Sequence, residues 1–185
     1  MSRKISCVRI VKMEIVPLTK VSVKIKGKRA SLIIDPDNTL RSKNEADAVV
    51  LLNRKNEFDT TKIEGFRAIL QGPGEYEVGG IKISGTKAGK HLVYRLHIDT
   101  ISVAITNISA IDSAKDLLTD YQVLIFYTDA NVDPSAIATL EPNVVIVYGE
   151  QAKEMLGKND AASISKFSAT REKLPEKMEM ILLSV

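Results

Sequence analysis

Cysteine, histidine and tryptophan are almost missing from this 185-residue chain: Cys7 is the single cysteine, His91 and His97 are the only histidines, and tryptophan does not occur. One cysteine closes no internal disulfide and builds no cysteine-based zinc site. Two histidines leave little material for acid–base chemistry near neutral pH or for holding transition metals. Long apolar runs are missing too, since none approaches the roughly 20 residues that span a bilayer. The opening Met1-Ser2-Arg3-Lys4-Ile5 carries charge but starts no signal-peptide pattern. There is no Pro/Ser-rich linker, no low-complexity tract and no repeat of solenoid length. These absences exclude a membrane protein, a secreted disulfide scaffold and a disordered tail. The expectation is one cytoplasmic domain over residues 1–185, with residues 1–12 as an N-terminal extension.

What is present suits a buried core: 44% of residues are hydrophobic and 26% charged. The net charge of +3 is unevenly spread. Residues 1–29 hold nine Lys or Arg against Glu14 alone, while residues 99–142 hold seven acids against Lys115. Solvated strand faces account for this pattern more simply than an anionic partner does. For nucleic acid the basic end lacks interleaved aromatics, because the first Phe, Tyr or Trp is Phe58.

Hydrophobic periodicity reads mostly as strands. Val21, Val23 and Ile25 alternate with lysines, Gly27-Lys28-Arg29 turns, and Ser31–Ile34 returns, which makes a hairpin ended by Asp35-Pro36. Val49–Leu52, Val123–Tyr127 and Val144–Val147 are continuous apolar runs of the kind covered on both faces. Further strands are expected over Leu92–Ile98, Ile101–Ile105, Ile164–Ser168 and Met180–Leu183, with Ile81 and Ile83 alternating ahead of them. Ser113–Leu118 suggests a short helix. A second opens with Asp133 as N-cap and Pro134 at the first helical position, running to Leu140. About a dozen strands with few helices give an α+β protein of two packed mixed sheets.

Four glycines fall within Gly72-Pro73-Gly74-Glu75-Tyr76-Glu77-Val78-Gly79-Gly80. The segment lacks the Gly-Lys-Ser/Thr ending of a P-loop and no helical pattern follows, so it reads as turns needing positive φ or close backbone approach. This stretch resembles a signature of small metallo-β-lactamase-fold proteins, the branch that includes the L-ascorbate-6-phosphate lactonase type of hydrolase. The Leu32-Ile33-Ile34-Asp35-Pro36 strand end, the Ala46–Leu52 strand, Leu140–Val147 and Leu174-Pro175-Glu176 are similar to that family's order from Met13 to Ser184. The resemblance implies an αββα sandwich and a metal-dependent hydrolase.

The ligands that the resemblance implies do not carry over. The family's His-x-His-x-Asp-His falls on Asn53, Lys55, Glu57 and Phe58, and its early Gly-His on Thr19-Lys20. Its later His or Asp ligands fall within Thr106-Asn107-Ile108-Ser109, and its final His at Tyr148-Gly149. A hydrolytic zinc centre needs neutral imidazoles and carboxylates converging on each metal, with one position open for water. Lys55 brings an ammonium without a lone pair, Phe58 an apolar ring, and Glu57 is the one chemically conservative replacement. His91 and His97 do not compensate: six residues of strand span roughly 20 Å, whereas two ligands lie within about 2.1 Å of one metal. His97 reads as a solvated surface residue and Cys7 as a small core residue.

The sequence therefore points to a fold without its metal site: no catalytic residue, no metal and no cofactor, with a binding or assembly role. The alternatives are a metal-independent or atypical hydrolase using Lys55 and Glu57, or a basic nucleic-acid module through residues 3–29. Lys55 and Glu57 are expected to pair beside the former metal position. Residues 5–11, rich in β-branched side chains, are expected to add a strand to their own sheet or to build a homodimer. The identity of any small-molecule ligand is open.

Overall fold

The computed structural model describes residues 12–53, 58–133, 135–157 and 162–185. Expectations for the strand at residues 5–11, for the Lys55–Glu57 pair and for Pro134 lie outside the described residues.

Alternating burial builds the first sheet. β1 (Met13–Pro17) turns every second side chain inward, and β2 (Val23–Lys26) and β3 (Ser31–Ile34) follow as the expected antiparallel hairpin. β5 (Ala48–Leu51) and β7 (Ala68–Gln71) then add in parallel beside β3. Two short strands, β4 (Asn44–Glu45) and β6 (Ile63–Glu64), pair as a separate ribbon.

The second sheet begins with the meander of β8 (Gly74–Val78), β9 (Ile81–Ala88), β10 (His91–Ile98) and β11 (Ile101–Asn107). It continues in parallel through β12 (Val123–Tyr127), β13 (Val144–Tyr148) and β16 (Glu179–Leu183). Three short helices link the parallel part: α1 (Ile111–Leu118), α2 (Ser135–Ala138) and α3 (Ala152–Leu156). Asp133 does cap α2, its carboxylate accepting from Ser135 N at 2.9 Å, but the helix stops at Ala138, short of Leu140.

The tail departs from expectation. Residues 164–168 are not one strand but parts of two. β14 (Ala162–Ile164) lies parallel to β16 in the second sheet, while β15 (Phe167–Ala169) pairs antiparallel with β1 in the first. The chain crosses between sheets at residues 165–166, and a period-two pattern carries no mark of such a change of partner.

Between the sheets lies the main core, into which Ile15, Leu32, Val50, Ile105, Ile125 and Ile146 all point. The intervening residues of the apolar runs face outward and are buried as well. Leu124, Phe126, Val145 and Val147 pack under the helices, and Ile33, Val49 and Leu51 pack under Leu40, Ala46 and Ile63. Both faces of these strands are thus covered, which is why their sequences are continuous rather than alternating. The sandwich of two mixed sheets stands as expected, and among the described residues its helices all cover the second sheet. No helix among them is long and apolar enough to cross a membrane.

The glycine segment is structural. Gly72, Gly74, Gly79 and Gly80 all have positive φ. At Gly79, φ is 56° and a Cβ would stand 2.5 Å from that of Ala30, so a side chain there meets both strain and collision. Glu75 and Tyr76 belong to β8, with Glu75 accepting from Ser84 Oγ at 2.6 Å, and Pro73 reaches the mouth of the sandwich.

Candidate functional site

Parallel pairing brings the C-terminal ends of β11, β12 and β13 to one edge, and β5 ends facing them from the other sheet. The start of β10, antiparallel to β11, reaches the same edge. A cleft of about 510 Å³ opens there, lined by the ends of these strands. Crevices beyond the carboxyl ends of strands are where open α/β sheets commonly take ligands.

The floor is a chain of hydrogen bonds. It starts at Asp35, whose φ of 44° folds its carboxylate back beneath the end of β5. That carboxylate accepts from Leu52 N at 2.8 Å, from Asn53 N at 3.1 Å and from Asn53 Nδ2 at 3.0 Å. Asn53 Oδ1 in turn accepts from Asn107 Nδ2 at 2.5 Å. The second hydrogen of the same amide goes to Asp129 Oδ2 at 3.0 Å. Asp129 also accepts from Ser109 N at 3.2 Å and from Ser109 Oγ at 2.7 Å, and Ser109 Oγ lies 3.3 Å from His91 Nε2. Ionised carboxylates only accept, so an acid at each end fixes which way both amides point.

Two buried polar atoms at this edge of the sandwich are left over. Asn107 Oδ1, in a residue 6% exposed, and Tyr148 Oη have no hydrogen-bond partner among the described residues. Buried polar atoms normally have one, and leaving one bare costs about 1–3 kcal/mol.

Burial pushes the Asp35 carboxyl up to about 6, outweighing the N–H donors from Asn53 and Leu52 that favour its charge. Burial, followed by the charge of Asp35, likewise raises the Tyr148 phenol. Because the folded value for Asp35 exceeds the ordinary 3.8, the native state binds more protons than the unfolded chain between those two values. Its contribution to stability is therefore full below about pH 4 and is lost as pH rises through 6, a change of up to about 3 kcal/mol. Urea unfolding of the wild type and of Asp35→Asn across pH 4–7 checks this. The wild type should gain on the variant as pH falls, and a constant difference contradicts the assignment.

Of the four positions at the expected metal motif, Asn53 lines the cleft. Phe58 is 46% exposed and is not part of the lining, so its ring does not fill a ligand position. Lys55 and Glu57 lie outside the described residues. Thr19, expected at the early Gly-His, instead caps its own turn, its hydroxyl accepting from Val21 N and Ser22 N. His97 is exposed on β10 while His91 opens onto the cleft, so the two share no site. Sequence reasoning missed His91, Asp129 and the buried Asp35 as members of one cluster. It had named Asn107 only within a four-residue stretch.

The donor set does not suit a hydrolytic metal centre. Among the described residues no three His, Cys, Asp or Glu converge. The His91 imidazole and the carboxylates of Asp129 and Glu150 open onto the cleft. Both oxygens of Asp129 already accept from N–H or O–H groups, and Glu150 lies 3.6 Å from the Lys20 ammonium. The Asn107 amide presents its hydrogens, not its oxygen, toward the acid.

No protein-family profile matches the sequence, and no curated protein matches it either. The likeness is in three dimensions. A protein from Thermotoga maritima, described as a Zn-dependent hydrolase of the metallo-β-lactamase superfamily, superposes with a TM-score of 0.70 at 17% identity over 94% of this chain and 100% of its own. The chain has the metallo-β-lactamase fold. Igni18, a metallo hydrolase from Ignicoccus hospitalis, gives a TM-score of 0.54 at 13% identity, covering 80% of this chain and 87% of that one. The metallo-β-lactamase-fold protein YhfI from Bacillus subtilis gives 0.53 at 10% identity, covering 94% and 97%. At these identities the likeness concerns the fold, and the function is argued from the site.

Proposed function

We propose that this protein is a non-hydrolytic binding module of the metallo-β-lactamase fold, in which a hydrogen-bonded amide–carboxylate chain stands in the cleft in place of a metal centre. The Asn107 amide carries the reading. With one hydrogen on Asn53 Oδ1 and the other on Asp129 Oδ2, it supplies donors to the acid that a metal would need free. The sequence resemblance to the L-ascorbate-6-phosphate lactonase branch supports the same view, since its histidine motif is replaced at Asn53 and Phe58. A cleft of about 510 Å³ is ample for a small molecule. Hydrolysis with a phosphodiester and a lactone substrate, with and without added zinc or manganese, tests the reading. Rates at the uncatalysed background are expected. Metal-stimulated turnover that disappears in Asn53→Ala or Asp129→Ala would overturn it.

A further inference from the structure

Four strands form the outer edges of the two large sheets: β15 and β7 in the first, β14 and β8 in the second. A sheet edge offers unpaired N–H and C=O groups, which proteins blunt with charge, proline or shortness. β14 and β15 have three residues each, and β8 carries exposed Glu75 and Glu77 with Pro73 just ahead of it. β7 has no such guard. Ala68–Gln71 contains neither charge nor proline, with Arg67 preceding it, and among the described residues it pairs with β5 alone. The side chains along this edge are apolar on both faces of the sheet. On the outer face Ile33, Val49 and Ile69 form one row; the first two are wholly buried, whereas Ile69 ends the row 42% exposed. On the inner face Leu70 joins the main core.

The chain holds a segment suited to that lane, outside the described residues. Ile5-Ser6-Cys7-Val8-Arg9-Ile10-Val11 alternates Ile5, Cys7 and Val11 with Val8 and Ile10, so a strand made of it is apolar on both faces. The edges of its own first sheet are closed to it. β15 fills the lane beside β1 by pairing with Met13–Ile15, and the chain leaves β15 just where β1 begins. Reaching the far side of β15 would mean crossing that departing chain, which connections avoid. The chain's own β7 is too far. Five lanes at about 4.8 Å separate β1 from the free side of β7, about 24 Å, and crossing them uses about seven extended residues. That is the stretch Ile5–Val11 itself, and only Met1–Lys4 would be left to pair. We propose that residues 5–11 of one copy add as a strand to the free edge of β7 in a second copy, the two chains exchanging arms as a homodimer.

Light scattering on the full chain should give the mass of two chains, and deletion of residues 2–11 should give the mass of one. Ile69→Lys, which sets a charge on an exposed position of the edge, should weaken the dimer about tenfold or more with the arm intact. Cross-linking identifies what lies on β7. Cys7 is the single cysteine, so Ile69→Cys supplies one further thiol, and a short bismaleimide should join the two as a two-chain product on a denaturing gel. Cys7→Ser in the same background should remove that product. A full chain with the mass of one copy, or with a mass that grows beyond two with concentration, would overturn the proposal. So would a link formed within one chain, which places the arm on its own β7, or no link at all. A two-chain link that survives Cys7→Ser would show the β7 edges meeting each other and would overturn it as well.

Discussion

Replacing Asp35 with alanine is expected to cost about 3–5 kcal/mol of folding stability. Its carboxylate holds Leu52 N, Asn53 N and the Asn53 amide, so removing it leaves at least two donors at the buried end of β5 without an acceptor. A second penalty comes from the backbone, because φ at this position is 44° and alanine tolerates that region poorly. Asp35→Gly separates the two terms. It loses the same hydrogen bonds but relieves the backbone, and should fall about 1 kcal/mol short of the alanine cost. Denaturant midpoints of the three proteins provide the measurement. An alanine cost below about 1 kcal/mol would show that the donors find other partners.

A loss of comparable size, about 4–6 kcal/mol, is expected for Tyr94→Ala, and about 1–3 kcal/mol for Tyr94→Phe. Tyr94 belongs to β10 in the second sheet, yet its hydroxyl crosses to the first. It accepts from Gly72 N at 3.0 Å and has the carbonyls of Leu51 and Leu70 at 3.3 Å as acceptors for its own hydrogen. The ring fits because residue 85 on β9 is glycine: a Cβ there would approach Tyr94 Cε1 to 2.9 Å. The side chain is wholly buried in the main core. Phenylalanine keeps the packing and leaves the Gly72 N–H without its partner, while alanine also opens a cavity. Equal losses for the two variants would mean that the hydroxyl, not the ring, ties the sheets together.

The strands were legible because their burial is written in their composition. Val123–Tyr127 and Val144–Val147 are apolar at every position, and both faces of each strand are covered. Residues 164–168 were misread because nothing in Ser165-Lys166 signals a switch of sheet. Asn53 could be found at the end of an apolar strand by resemblance. The rest of the floor could not, since it joins residues far apart in sequence. Asp35 meets Asn53 across 18 positions through a left-handed turn, and Asn107 meets Asp129 across 22 because β11 and β12 pair in parallel with Asn107 beside Tyr127. His91 looked isolated for the same reason: its neighbour Ser109 arrives from the far end of an antiparallel strand.

The most direct test of a cleft built on hydrogen bonds instead of metal coordination is the metal content of the protein purified without chelator and then equilibrated with zinc. Elemental analysis after gel filtration should find well under one zinc per chain, with the same value for Asn107→Ala. One or two zinc ions retained per chain, and lost when Asp129 or His91 is replaced by alanine, would contradict the account.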